Sequence, residues 1–331
     1  MVRFLGILLL IALVVAGAFF WEDANFAAAG PFAAKGATET DIVIKPGIGL
    51  RGIAQELSDA HVVENPALFM LGVRLRRTAA GLKAGEYAIP SRASMLDIMD
   101  ILISGKTIQH KITAAEGLTS DMIAKLVAAD TVLTGKMVAT PREGTLLPQT
   151  YLFTRGTTRG QIVARMQKAQ GDLIAKLWPL RDQGLPYKTP QQALVLASIV
   201  EKETARPQER RHIAALFVNR LRLGMKLQSD PTIIYGISAG YPLGHGIRQS
   251  EIAKATPYNT YVITGLPPTP ICNPGTDAIR AVLNPGTTKD LYFVASGDGG
   301  HVFSASVADQ ARNVAALRAR ERAQQSTPGH K

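Results

Sequence analysis

The chain has 331 residues, 46% of them hydrophobic, which is enough to bury more than one core and excludes a disordered chain. Its 37 Lys and Arg outnumber its 26 Asp and Glu, and the resulting charge of +11 favours an anionic partner: nucleic acid, phospholipid headgroups or acidic cell-wall peptides. A single cysteine, Cys272, excludes an intrachain disulfide, and the six scattered histidines show no metal-ligand spacing, so no metal site is expected.

Residues 4–21, FLGILLLIALVVAGAFFW, carry no charge and would span about 27 Å as a helix, close to the hydrocarbon thickness of a bilayer. Arg3 and the amino terminus precede this run. By the positive-inside rule, residues 1–23 are then a short cytoplasmic N-terminus plus a transmembrane anchor, and the rest is exported. The alternative is a cleaved signal peptide with its small-residue site at Ala27-Ala28-Ala29, but the apolar run is long for one. Export in either form argues against nucleic acid as the partner.

Residues 24–40 are rich in Ala and Gly without periodicity and read as a linker. DIVIKPG predicts a strand, and LRGIAQELSDAHVV a helix with Leu50, Ile53, Ala54 and Leu57 on one face. Pro66-Ala67 open a second helix through Leu75, GLKAGEYAIP returns as a strand, and SMLDIMDILISG is a helix capped by Ser94 and stopped by Gly105. Residues 41–105 thus form a small α+β unit.

A larger α+β domain follows over 106–322. It opens with a strand at 106–113, a helix capped by Thr119 or Ser120, and an extended EGTLLPQTYLF at 143–153. An amphipathic helix carries Ile162, Met166, Ala169 and Leu173 on one stripe, and proline-bounded helices run from Pro190. Loops rich in Gly and Pro fill 236–286. Strands LYFVAS and HVFSAS flank a GDGG turn, a helix runs from Val307 to about Arg322, and 323–331 are expected to be a disordered tail.

Chemistry concentrates in SIVEKETARP. Thr189-Pro190 start a helix that places Leu194, Ala197 and Ser198 on the side of Glu201. A carboxyl at the end of such an apolar run, held dry in a cleft, would stay protonated and could donate a proton to a glycosidic oxygen. Spacing alone equally allows Glu201 to be the first exposed residue after a buried stretch, in a surface ion pair. Glu203 lies about 200° further round the helix and is expected to be solvated or paired with Arg210, Arg211 or another cation. Asp230-Pro231 read as N-cap and first turn of a short helix, preceded by the hydrogen-bonding pair Gln228 and Ser229.

The runs SIVEKETARPQERRHIAALFVNRLRLGMKLQSDPTIIYGI, TPYNTYVITGLPPTPICNPG and LYFVASGDGGHVFS, with EGTLLPQTYLF ahead of them, resemble the MltG-type (YceG-like) endolytic murein transglycosylases. The 41–105 unit resembles that family's LysM-like subdomain. The resemblance implies a membrane-anchored, cofactor-free lyase of the cytoplasmic (inner) membrane with its catalytic domain outside. It would cut nascent peptidoglycan between N-acetylmuramic acid and N-acetylglucosamine, leave 1,6-anhydromuramic ends, and work beside peptidoglycan synthases or division proteins. The family's catalytic glutamate matches Glu201. Gln228, Ser229, Asp230, Tyr235, Tyr258, Asn259, Tyr261 and Asn273 match its motif positions as candidate substrate-binding residues. The last helix departs from the pattern, carrying Gln310-Ala311 where a His-Asn pair is expected. Rivals are a water-using muramidase with the same acid and a non-catalytic wall-binding scaffold.

Overall fold

The computed structural model describes residues 2–137 and 139–326, and the chain forms two units. The first holds the residues up to Lys111 together with Leu152–Gly156; the second holds Ile112–Tyr151 and the chain from Thr157 onward. Both mix helices and strands, as the α+β expectation requires.

In the first unit, α1 (Val2–Phe26) contains a stretch, Phe4–Phe26, long and apolar enough to cross a membrane, with a mean hydropathy of 2.7. Its apolar side chains are exposed as far as Trp21, but its last turn is not. Phe26 is fully buried, stacks on Phe69, and lies beneath the Arg76 guanidinium; Arg76 also pairs with the buried Glu22 at 2.9 Å. Gly72 permits this approach, since a Cβ there would stand 2.3 Å from the Phe26 ring. Residues 24–40 therefore differ from a free linker. Phe26 belongs to the core, and further along the Gly30 and Ala33 N–H groups donate to Arg92 O and Ser91 Oγ. One buried aromatic and a backbone that found partners outweighed the low-complexity composition.

β1 (Glu39–Ile44) pairs antiparallel with β2 (Gly85–Pro90), from Glu39 opposite Pro90 to Ile44 opposite Gly85. Ile42, Ile44, Tyr87 and Ile89 are buried against α2 (Leu50–Asp59), α3 (Pro66–Leu75) and α4 (Met95–Ser104). The caps of α4 are those read from sequence: Ser94 accepts from Asp97 N–H, the Asp97 carboxylate accepts from Ser94 N–H, and Gly105 adopts φ 69°. The acid Glu86 is buried yet ionised. Its hydrogen bond from Arg155 (2.7 Å) outweighs burial and, with His110 at 2.5 Å, holds its carboxyl below the ordinary range.

Short strands β3 (His110–Thr113) and β4 (Thr150–Phe153) pair with each other, and α5 (Ser120–Ala129) lies between them in sequence. The expected strand at 106–113 begins four residues late. The second unit continues with α6 (Arg159–Leu177), α7 (Pro190–Glu203), α8 (Pro207–Arg222), α9 (Asp230–Ser238), α10 (Gln249–Ile252) and α11 (Thr276–Leu283). It closes with a hairpin of β5 (Tyr292–Ala295) and β6 (His301–Ser304), then α12 (Val307–Ser326). α12 runs past the expected end at Arg322, and the rest of the anticipated tail, 327–331, lies outside the described residues.

The organising element is α7. Thr189 caps it and Pro190 sits where a missing N–H costs nothing. All eight residues from Ala193 to Val200 are buried, because α8, α9 and α11 pack around it. A helix apolar on every side is a core helix. Its end, where Glu203 gives way to an extended Thr204, is where its acids meet polar surroundings.

Candidate active site

Glu201 and Glu203 leave α7 in different directions, and each meets a different environment. The Glu201 side chain is only 5% exposed, and it packs towards α8 and α11. One oxygen lies 3.4 Å from Arg210, and the other accepts the Gly275 N–H at 2.8 Å. Arg210, itself buried, also faces Glu116 (3.5 Å) and Asp277 (3.6 Å). Gly275 lets Glu116 lie close, since a Cβ would meet its carboxylate at 1.9 Å and displace that side chain. Burial raises the Glu201 carboxyl, the Gly275 hydrogen bond lowers it, Glu116 raises it and Arg210 lowers it. The residue is dry, as expected, but it is the buried member of a group of three acids around one arginine, with Glu116 and Asp277 on the exposed side.

Glu203 has the cleft. It lines a cavity of about 420 Å³ with Arg220, Gln228, Asp230, Tyr261, Tyr292, His301 and Gln310 among its walls. Ser229 Oγ donates to its Oε2 at 2.8 Å. Burial pushes its carboxyl up to about 7, against that hydrogen bond; Asp230 adds to the rise and Arg220 opposes it. Of the expected alternatives, solvation and pairing with Arg210 or Arg211 are overturned, and another cation is what faces it. The cation facing it is Arg220, which is tied to Leu291 O (2.6 Å), Leu227 O (2.7 Å) and Gln228 Oε1 (3.3 Å).

The anticipated substrate residues divide. Gln228, held at φ 51°, and Asp230 line the cavity, and Tyr261 donates its hydroxyl to Asp230 Oδ1 at 2.7 Å. Ser229, fully buried, reaches the site through Glu203. It also stands at the N-cap position expected for Asp230, which is the first helical residue of α9 instead. The other four lie elsewhere. Tyr235 packs edge-on against Tyr258 at 4.7 Å, donates to the half-buried Glu143 at 3.2 Å, and lines a separate cavity of about 280 Å³. Tyr258 shares a hydrogen bond with Thr269.

Asn259 donates to the carbonyls of Glu251, Ile252 and Lys254, and Asn273 joins Leu118 O, Ser120 Oγ, Glu143 and Leu146 N–H. Both amides are buried, and they fasten loops rather than face a ligand. Asn273→Ala is accordingly expected to cost about 2–3 kcal/mol of stability in chemical denaturation, because it strands a buried N–H and a buried carbonyl. At a temperature where the variant is folded, KM should stay within about twofold of the parent.

Arg220, Tyr292, His301 and Gln310 carry no site signal of their own in the sequence; His301 lies within the GDGGHVFS run and Gln310 where the last helix departs from the family pattern. Gln310 lines the cavity all the same, with its amide tied to Phe293 O (2.9 Å) and Ser304 Oγ (3.0 Å).

A buried, protonatable carboxyl with amide, aromatic and hydroxyl groups about it can give a proton to a ligand bound in the cavity. The profile of the YceG-like family matches residues 42–316, and the chain belongs to that family. It is 28% identical over 323 residues to a Bacillus subtilis (strain 168) protein named endolytic murein transglycosylase, covering 88% of each chain. A Streptococcus pneumoniae serotype 2 protein of the same name is also 28% identical, over 94% of this chain but 64% of its own length. Among solved structures, a YceG-like protein from Listeria monocytogenes superposes with a TM-score of 0.52 at 28% identity, over 83% of this chain and 99% of its own.

Proposed function

We propose that this protein is a peptidoglycan lytic transglycosylase, anchored by α1 in the cytoplasmic membrane with the rest of the chain on the outer side, and that Glu203 rather than Glu201 is its proton donor. The observation that carries the reading is Glu203 itself, a carboxyl raised to about 7 inside a cavity that also holds Gln228, Asp230 and Tyr261. Membership of the YceG-like family and the names of its relatives supply the substrate class.

In the cavity Glu203, which its raised carboxyl keeps partly protonated at neutral pH, gives its proton to the glycosidic oxygen between N-acetylmuramic acid and N-acetylglucosamine. The muramic C6 hydroxyl then attacks C1 of the same sugar, its proton leaves to an acceptor, and the chain ends in a 1,6-anhydro ring without consuming water. The carboxylate left on Glu203 is the simplest acceptor. Asp230 lines the same cavity and favours one second reading, in which it activates water and the enzyme is a muramidase. Residues 41–105 would hold the glycan as a LysM-like module, and peptidoglycan synthases or division proteins are the partners that an anchored strand-cutter implies.

The test is mass spectrometry of purified, uncross-linked glycan strands treated with the full chain in detergent micelles. The full chain is needed because Glu22 and Phe26 are part of the first unit's packing. Anhydromuramyl ends are expected; reducing ends would make the enzyme a hydrolase, and intact strands a scaffold. Because the acid must be protonated, kcat/KM should fall about tenfold per pH unit as pH rises above about 7.

A further inference from the structure

Beside Glu203 the cavity carries a second proton-handling group, held in the way such groups are usually held. His301 lines the same space. Its Nδ1 lies 2.8 Å from Glu209 Oε2, and its backbone N–H donates to Glu209 Oε1 at 3.2 Å. The ring stands edge-on to Phe293, with centroids 5.1 Å apart. Thr204, the residue after Glu203, donates to Glu209 as well, at 3.1 Å. Burial pushes the Glu209 carboxyl up, but the His301 and Thr204 hydrogen bonds hold it below the ordinary range, so it is a carboxylate.

A carboxylate on Nδ1 fixes the tautomer, placing the proton on Nδ1 and leaving Nε2 a lone-pair acceptor. Among the described residues Nε2 has no hydrogen-bond partner within the protein. His212 makes an instructive contrast. It pairs with Asp290 at 2.7 Å and stacks on Phe303 at 3.8 Å, but it is not in the lining of this cavity.

We propose that His301, oriented by Glu209, is the base that receives the muramic C6 hydroxyl proton, so that the site works with two proton-transfer groups instead of one carboxyl used twice. This rests on the lytic-transglycosylase reading above. Glu203 gives its proton to the leaving oxygen and the C1–O bond to that oxygen breaks. O6 bonds to C1, and the O6 proton passes to Nε2. The imidazolium then releases that proton to solvent, and solvent reprotonates Glu203, closing the cycle with no net change in charge. The groups that set the charge around His301 are Glu209 and Arg206 from the start of α8, Asp298 from the turn before β6, and Glu203, Arg220, Asp230, Tyr261 and Tyr292 around the cavity.

The experiment is the pH dependence of kcat/KM for the full chain, His301→Gln and Glu209→Gln, with product analysis on each. A base that must be neutral gives the parent an acid limb, on which activity falls as pH falls. His301→Gln should lower kcat on the order of 100-fold with KM within about threefold, still form anhydro ends, and lose the acid limb. Added imidazole should restore part of the activity of His301→Ala, which a purely structural role would not allow. Glu209→Gln, which removes the orienting carboxylate charge and leaves His301 in place, should shift the acid limb and serves if the His301 variants do not fold. His301→Gln with full activity overturns the proposal and returns both steps to Glu203, and so does a loss of activity with the acid limb unmoved and no rescue. A parent enzyme that makes no anhydro ends would instead sink the underlying reading, whatever the variants do.

Discussion

Glu203→Gln should lose about 10²–10⁴-fold in kcat on glycan strands, while Glu201→Gln should lose less than about tenfold. The first substitution removes the proton donor from the cavity and keeps the shape that Ser229 recognises; the second acts in a cluster outside that cavity's lining. Steady-state kinetics on the two variants, side by side, decides the assignment: the opposite order would restore Glu201.

The same substitution has a stability signature. The folded pKa of Glu203, about 7, lies above its ordinary value of 4.5, so the folded state binds the proton more tightly than the unfolded chain. Stability from this group is therefore fully present below pH 4.5 and is lost as pH rises through about 7. At pH 8 Glu203→Gln should be more stable than the parent by on the order of 3 kcal/mol, and the difference should vanish near pH 4.5. A gain of stability coupled to a loss of turnover is what a strained acid at a working site produces.

Arg210→Met is expected to be among the most destabilising single changes in the second unit, by about 3 kcal/mol. Its guanidinium is the cation that Glu201, Glu116 and Asp277 share, and Glu201 is too buried to find water in its place. The denaturation midpoint should recover in Arg210→Met combined with Glu201→Gln, because the double variant leaves no buried charge behind. Equal loss in the single and double variants would mean that the cost is packing around the long side chain and not the stranded carboxylate.

The sequence by itself determined the local architecture. Residues 4–21 read as a membrane anchor or a signal, and α3, α4, α5 and α7 start where expected: at Pro66, just after the Asn65 cap; at Ser94; at Thr119, of the two candidates Thr119 and Ser120; and at Thr189-Pro190. Capping and periodicity act over three or four residues, so they are written where they act. The 200° between Glu201 and Glu203 was equally legible, since it follows from helical rotation alone.

Which acid faces the cavity was decided by tertiary structure. An apolar run leading to an acid suggests a dry cleft only if the helix has a solvent side. α7 is buried all round, so the side continuing the run meets Arg210 and Gly275 in packed protein. The cavity beside Glu203 is walled by residues 17 to 107 positions further along the chain, from Arg220 to Gln310, and no local pattern reports which of them meet. The motif amides Asn259 and Asn273 mislead for the same reason. An amide suited to a sugar is equally suited to a loop's unpaired carbonyls, and only the packed loop shows which it serves.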